Sequence, residues 1–394
     1  MSEPLPPNRP TPLYSPLFAE EEIVDNVRTG VEREFDDSEP DFRTPYDPKA
    51  IHVDPRVYSV RQILDMVEDA ELDLAPDFQR MKVWKARQKS VLIESLLLRI
   101  PLPAFYFSSD KDGLLQVVDG VQRLTTIFDY VRNDAFALTG LEYLEDMVGG
   151  KRFSAIDNTI WSRRIMNTQI TAFVIDPQTP TRVKFDIFRR INTGGSPLNS
   201  QEIRHCMSRP RSREYLRALA NSEAFSLATR DAFINDVRMV ARELALRFVA
   251  FRLVESVDLY MDYGSMDEFL TAINESIDNP LAVSDDELNE LQNAFELGME
   301  NAIRVFGSHA FRKWPQYSDD MYPINRSLFD VWSVELSRIP ARYIEERAAA
   351  IQAAARELMT KDYDFINAIS AGTGTTAKVL TRFTKVQKLL SGPQ

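Results

Sequence analysis

A chain of 394 residues has room for two domains, and 44% apolar with 27% charged residues is the make-up of an ordinary folded protein. A formal net charge of −12 argues against a non-specific nucleic-acid binder over the whole surface, while leaving a local basic face open. The single cysteine, Cys206, excludes an internal disulfide and fits a buried thiol in a reducing cytoplasm; His52, His205 and His309 show no metal-ligand spacing with it.

Residues 1–50 are rich in Pro, Asp and Glu and lack apolar periodicity, which predicts a flexible acidic leader. A strip that mimics nucleic-acid charge and inhibits in cis is the alternative for that leader. The start has no basic region followed by an apolar one, so no secretory signal is expected. From Ile51 the pattern turns mixed. Ile51 and Val53 suggest a short strand, and Ser59 with Gln62 has capping-box spacing ahead of a helix carrying Ile63, Leu64 and Val67. Leu72 and Leu74 suggest an extended piece, then 76–84 reads as a polar loop. Residues 85–100 predict a helix with Leu92, Ile93, Leu96, Leu97 and Ile100 on one face. The apolar run around it, 91–107, holds Glu94, Arg99, Pro101 and Pro103 and does not suit a bilayer, so no membrane contact is expected. Runs at 104–107 and 114–118, separated by turn residues, predict a hairpin.

The hairpin's second run ends in V-V-D-G-V-Q-R, residues 117–123, and a helical pattern takes over at about Leu124. A strand, a tight turn and a helix N-terminus form a ready anion site, because the first turn leaves N–H groups unpaired at the positive end of the dipole. Gly120 lets a phosphate approach the backbone, and Arg123 has the geometry to grip it bidentately. Asp119 has the wrong charge for phosphate and fits a holder of Mg²⁺ or water, or an orienter of Arg123. A plain Asp-Gly turn capping a helix is the competing reading.

Further along, Ile170 to Ile175 predicts a buried strand. Pro180 opens a helix through Val183, Ile187 and Ile191 that ends at Asn192-Thr193-Gly194-Gly195, and Asn199 with Glu202 caps the next. Beyond Met207 the chain reads as helical, notably at 237–254, 285–305, 324–336 and 341–359. The expected class is therefore α+β: a leader at 1–50, an α/β domain at 51–206 and an all-helical domain at 207–394.

Two more clusters bear on function. In the 76–84 loop, Gln79 and Arg80 suit an anion or a base edge, with Trp84 either stacking on a base or, the preferred reading, anchoring the loop in the core. Arg204, Arg209, Arg211, Arg213 and Arg217 form a basic stretch that either contacts DNA phosphates or lies on solvated helix faces. The chain has neither a P-loop nor a G-x-S-x-G elbow.

Taken in order, P-D-F-Q-R, L-I-E-S-L-L-L-R-I-P-L-P, V-D-G-V-Q-R-L-T-T-I and F-R-R-I-N-T-G-G-S-P-L-N-S-Q-E-I-R resemble the N-terminal domain family of GmrSD-type restriction systems. The resemblance runs strongly from Ser59 to about Cys206. It implies a ParB/sulfiredoxin-like fold and a place in prokaryotic defence against foreign or modified DNA. It also implies nucleotide binding and hydrolysis linked to a D-G-Q-Q-R motif. On that basis Asp119, Gln122 and Arg123 are the candidate catalytic residues, with Asp119 also the candidate Mg²⁺ ligand. Gln79, Arg80, Gly120, Thr125, Asn192 and Gly194 are the candidate nucleotide-binding residues. A nucleoside triphosphate with Mg²⁺ is the implied ligand, DNA is reached directly or through a nuclease subunit, and an oligomer is compatible. The chain departs from the motif at Val121, where the family has its first Gln. It also holds only His309 beyond Cys206, too little for an HNH nuclease of its own. Two readings follow: a Mg²⁺-assisted NTPase, or a nucleotide-gated, DNA-sensing or partner-recruiting module without turnover.

Overall fold

The computed structural model describes residues 19–24, 27–34, 51–74, 84–191, 198–254 and 256–391. The chain divides into two compact units, one of residues 44–208 and one that joins 1–43 to 209–394. In chain order the second unit therefore begins and ends the molecule, with the first inserted between its two parts.

The stretch expected as leader contributes two strands, β1 (Glu21–Val24) and β2 (Val27–Glu32), paired antiparallel. This corrects the flexible-leader reading for those residues. Their apolar content is small but well placed: Val31 is fully buried in the core of the helical unit, and its neighbour Glu32 is buried with it. The second unit is thus helical with a hairpin built in, rather than all-helical.

The 44–208 unit is α+β. Its elements are β3 (Val53–Ser59), α1 (Val60–Glu68), β4 (Leu72–Asp73), α2 (Ala86–Leu97), β5 (Phe105–Ser109), β6 (Leu115–Asp119) and α3 (Val121–Val131). The short helices α4 (Glu145–Val148), α5 (Phe153–Ile156) and α6 (Ile160–Met166) follow, then β7 (Gln169–Ile175), α7 (Thr181–Ile191) and α8 (Ser200–Met207). The five strands form one mixed sheet in the order β3-β7-β5-β6-β4, with β5–β6 antiparallel as the hairpin pattern predicts and β5–β7 parallel. Period-two alternation divides each strand between two faces. Phe105, Phe107, Val117, Ile170, Ala172 and Val174 join α1, α2, α3 and α6 in one core. Tyr106, Val118 and Ile175 join Phe188 of α7 and Ile203 and Cys206 of α8 in another.

Local chemistry sets the helix ends. The Ser59 hydroxyl accepts from the Gln62 N–H at 3.2 Å, and Asn199 and Glu202 complete a reciprocal capping box on α8. Helix α2 stops at Leu97, before the expected end at Ile100, because the chain turns left-handed at Arg99 (φ +61°) ahead of Pro101. Ile100 is consequently exposed rather than on the apolar face. Trp84 packs against the first core, as preferred.

The second unit adds α9 (Pro210–Ala220), α10 (Glu223–Thr229), α11 (Val240–Leu253), α12 (Met266–Ile277), α13 (Asp285–Phe306), α14 (Arg326–Ser337), α15 (Ala341–Lys361), α16 (Tyr363–Ala368) and α17 (Thr376–Ser391). Its core is built on interlocked aromatic rings, among them Phe225, Phe248, Phe295 and Phe329, then Phe251, Tyr260, Phe269 and Phe383. Among the described residues no helix is long and apolar enough to cross a membrane.

Candidate functional site

The turn between β6 and α3 brings the D-G-V-Q-R residues together. Strand β6 ends at Asp119, and Gly120 takes a left-handed conformation (φ +97°) as the cap of α3. A side chain there would be strained twice, since a Cβ on Gly120 would run into Cδ1 and Cε1 of the Phe105 ring. The left-handed cap lets the helix begin at once, so α3 starts at Val121, three residues ahead of the predicted Leu124. The Leu124 N–H already donates to the Gly120 carbonyl at 2.9 Å.

Arg123 is committed to its own chain. One terminal nitrogen donates to the Pro103 carbonyl at 2.5 Å; the other reaches the Ala104 carbonyl at 3.3 Å and Asp119 Oδ2 at 2.8 Å. The guanidinium also lies over the Phe105 ring, 4.2 Å from its centroid. Burial pulls its pKa down and Asp119 partly offsets that, leaving an arginine that stays charged at any working pH. This arrangement differs from the expected bidentate phosphate grip. Of the roles open to Asp119, partner of Arg123 is the one observed. Together the pair fastens the turn to the segment that enters β5.

The other motif residues divide by environment. Val121 is buried in the first core, so the position that departs from the family motif is spent on packing. Gln122 is half-buried, and its Oε1 is shielded from solvent with no hydrogen-bond partner among the described residues. A buried acceptor left unpaired costs about 1–3 kcal/mol, so a group that donates to it is favoured there. The Thr125 hydroxyl donates to the Val121 carbonyl at 2.9 Å, a back-bond within the helix. Gln79, Arg80, Asn192 and Gly194 lie outside the described residues.

Among the described residues no three His, Cys, Asp or Glu side chains are gathered to hold a metal. Asp119 is one carboxylate with one oxygen already bonded to a guanidinium, and a neighbouring positive charge disfavours a cation. These residues do not fit a resident Mg²⁺ site.

The basic stretch is largely turned inward. Arg204 is buried and bonds Gln201 Oε1 at 2.9 Å, and Arg213 is buried as well. Arg211 donates to the carbonyls of Ile277 and Val283 and to Asp285, and the Arg209 N–H donates to Asp278. Arg209 and Arg217 are half-buried. Of the candidate DNA-contacting residues Arg204, Arg209, Arg211 and Arg213, two are thus buried, and the guanidinium of Arg211 is spent on carbonyls and a carboxylate that the fold supplies.

A cleft of about 950 Å³ opens away from the turn, lined by Arg56, Arg61, Asp65, Asp69, Glu71 and Asp112 among others. Its carboxylates outnumber its arginines, which makes it a poor phosphate site.

Glu94 is the residue the sequence reading passed over. Buried at 2% exposure, it accepts backbone N–H bonds from Glu142 at 2.9 Å, Tyr143 at 2.7 Å and Leu144 at 2.9 Å. Against the upward push of burial, those three donors hold its pKa below the usual carboxylate range. Its signal was a glutamate set inside the apolar face made by Leu92, Ile93, Leu96 and Leu97.

Neither the curated proteins nor the solved structures returned a match to this chain. A family model did: the GmrSD restriction endonuclease, N-terminal domain, matches residues 60–207. That span falls inside the compact 44–208 unit and contains both the β6–α3 turn and the pinning Glu94. The resemblance read from the four ordered motifs is thereby borne out: residues 60–207 match the GmrSD restriction endonuclease N-terminal domain family.

Proposed function

We propose that the 44–208 unit is the nucleotide-binding domain of a DNA restriction system and that the first turn of α3 receives the phosphates. The observation that carries this reading is the glycine-capped N-terminus of α3, a place for an anion. The shielded, unpartnered Oε1 of Gln122 beside it suits a donating group of the same nucleotide, a ribose hydroxyl or base N–H, and not a phosphate oxygen. Backbone N–H groups of that turn supply the anion contacts, and the helix dipole favours the charge. Asp119 and Arg123 hold the turn in shape instead of touching the ligand. Mg²⁺ enters with the nucleotide as its counter-ion, not as a resident of the chain. A ParB/sulfiredoxin-like fold, cytoplasmic operation and DNA engagement, direct or through a nuclease subunit, belong to the same reading.

Gating without rapid turnover is the form favoured by Val121 in the core and by the engagement of Arg123, whose guanidinium is taken up by Pro103, Ala104 and Asp119 in place of transition-state charge. Hydrolysis is the second form, favoured by Gln122, whose Oε1 has the chemistry to accept from and orient a water. Titration with each common NTP and Mg²⁺, followed by phosphate release with and without DNA, tests both. Gln122→Ala is expected to weaken nucleotide binding about five- to tenfold, the value of one hydrogen bond. A wild-type chain that binds none of the nucleotides sinks the proposal. Binding without release selects the gate.

A further inference from the structure

Charge inside the helical unit forms a connected chain. Lys313 Nζ meets Glu32 Oε1 at 2.6 Å, and Arg326 bonds the Glu32 carbonyl at 3.2 Å and pairs with Glu22 and Glu243, both at 3.3 Å. Glu243 also faces Arg247 at 3.4 Å; Arg247 and Arg382 share Asp330 at 2.8 and 2.9 Å. Arg382 bonds the Thr373 carbonyl at 2.6 Å, and the Thr373 hydroxyl donates to Glu34 at 3.0 Å. Lys313, Asp330 and Arg382 are fully buried.

The sources of these charges are unequal. Among the described residues of this network, Lys313, Arg247, Arg326 and Arg382 meet two carboxylates from the rest of the unit, Glu243 and Asp330. The other three, Glu22, Glu32 and Glu34, all come from the β1–β2 hairpin and the residues next to it. Glu32 sits where an anion would: beside the first turn of α14, on Lys313 and on the Asn325 amide, which donates to it at 2.8 Å. In that same first turn Ser327 is fully buried, and its hydroxyl has no partner among the described residues. A buried hydroxyl left over in the turn whose cap and first residue already hold Glu32 suits a ligand with more acceptor oxygens than a carboxylate has.

The hairpin's seat is also strained. Arg230, Asp231, Asp236, Arg238 and Met239 all have left-handed φ, between +35° and +63°. Gly30 of β2 lies against this segment, where a Cβ would stand 3.1 Å from the Ala232 carbonyl and the Phe233 ring. Among the described residues, backbone bonds from the hairpin to the helical elements run through Ile324 alone. Clusters of unfavourable backbone conformations mark places built to change.

We infer that the first turn of α14, with Lys313 and Arg326, is a binding site for a phosphate-bearing ligand that the hairpin carboxylates occupy in cis. Several equivalent oxygens and a match to guanidinium geometry make phosphate the fitting group. This site is separate from the α3 turn and does not rest on it.

The test uses the full chain carrying Glu22→Gln, Glu32→Gln and Glu34→Gln together, titrated with ATP, with a short labelled single-stranded oligonucleotide and with inorganic phosphate. Affinity for at least one probe is expected to rise about tenfold over wild type, and the gain is expected to vanish when Arg326→Gln is added. The probe that gains names the source of the phosphate. No gain in a folded variant, a gain that survives Arg326→Gln, or one that Gln122→Ala abolishes overturns the inference. If the triple variant does not fold, hydrogen exchange of the wild type decides. Faster exchange at residues 27–32 with a probe present supports the site; unchanged exchange with all three probes overturns it.

Discussion

In the α+β unit the buried carboxylate of Glu94 is met by three backbone N–H groups, whereas in the helical unit Glu32 and Asp330 are met by Lys313, Arg247 and Arg382. The first arrangement fixes the shape of one loop and strands no second charge if it is lost. The second sets up a balance in which each ion depends on others from distant parts of the sequence. A carboxylate satisfied by backbone is a local fastener. One satisfied by buried cations couples the hairpin, α11, α14 and α17 into a single cooperative body, because removing either member leaves an uncompensated charge.

The sharpest way to break this contrast is Asp330→Ala, which strands Arg247 and Arg382 in the interior. Chemical denaturation is expected to show a loss of about 3–5 kcal/mol, confined to the transition of the helical unit. A loss below about 1 kcal/mol would mean the arginines find solvent or other partners, and the cooperative picture would fail. Glu94→Ala is expected to cost less, about 2–4 kcal/mol in the α+β unit, with Glu94→Gln recovering part because an amide oxygen still accepts. Hydrogen exchange at 142–144 should rise in both; equal losses for the two variants would show that charge, not acceptance, matters there.

Asp236 gives the finest distinction, since it uses both means. Its carboxylate accepts from the Ala241 N–H at 2.7 Å and faces Arg242 at 3.5 Å, with Glu243 nearby. Burial outweighs these contacts and pushes its pKa up to about 7, well above the ordinary carboxylate range. A carboxyl raised on folding contributes stability that is fully present below its unfolded pKa and is lost as pH rises through the folded one. The wild-type helical unit should therefore weaken between about pH 4 and pH 7 relative to Asp236→Asn. The variant's loss of the Arg242 pair is the same at every pH, so the change across that range should be about 3–4 kcal/mol. Parallel melting curves at every pH would show that the carboxyl does not titrate there.

Much of the α+β unit was legible because its signals are local. Alternation in Phe105–Ser109 and Leu115–Asp119, the Asn199–Glu202 box and the D-G step at 119–120 each act within a few residues. The α3 turn was legible as a place but not as a geometry. Nothing in the order of residues says that Phe105 lies under Gly120 or that the carbonyls of Pro103 and Ala104 use up Arg123, since those partners arrive from across the sheet. The basic stretch misled for a related reason. An arginine on a solvated face and one bonded to Ile277 and Val283 look alike until the second helix is in place. The hairpin was missed because Val27–Glu32 carries little apolar weight, and its burial depends on Lys313, Asn325 and Arg326, nearly three hundred residues along the chain.

From its order of residues alone this chain specifies a mixed α/β segment, a helical remainder and a D-G-V-Q-R turn between strand and helix, since helix caps, strand alternation and turn chemistry are decided by near neighbours. Long-range packing decides which charges are spent. It turns Arg123 from a phosphate grip into a fastener, leaves Gln122 Oε1 unpaired, and folds an acidic hairpin over buried cations. Burial and partnership are properties of the assembled chain, and the charges on which function depends take their meaning from both.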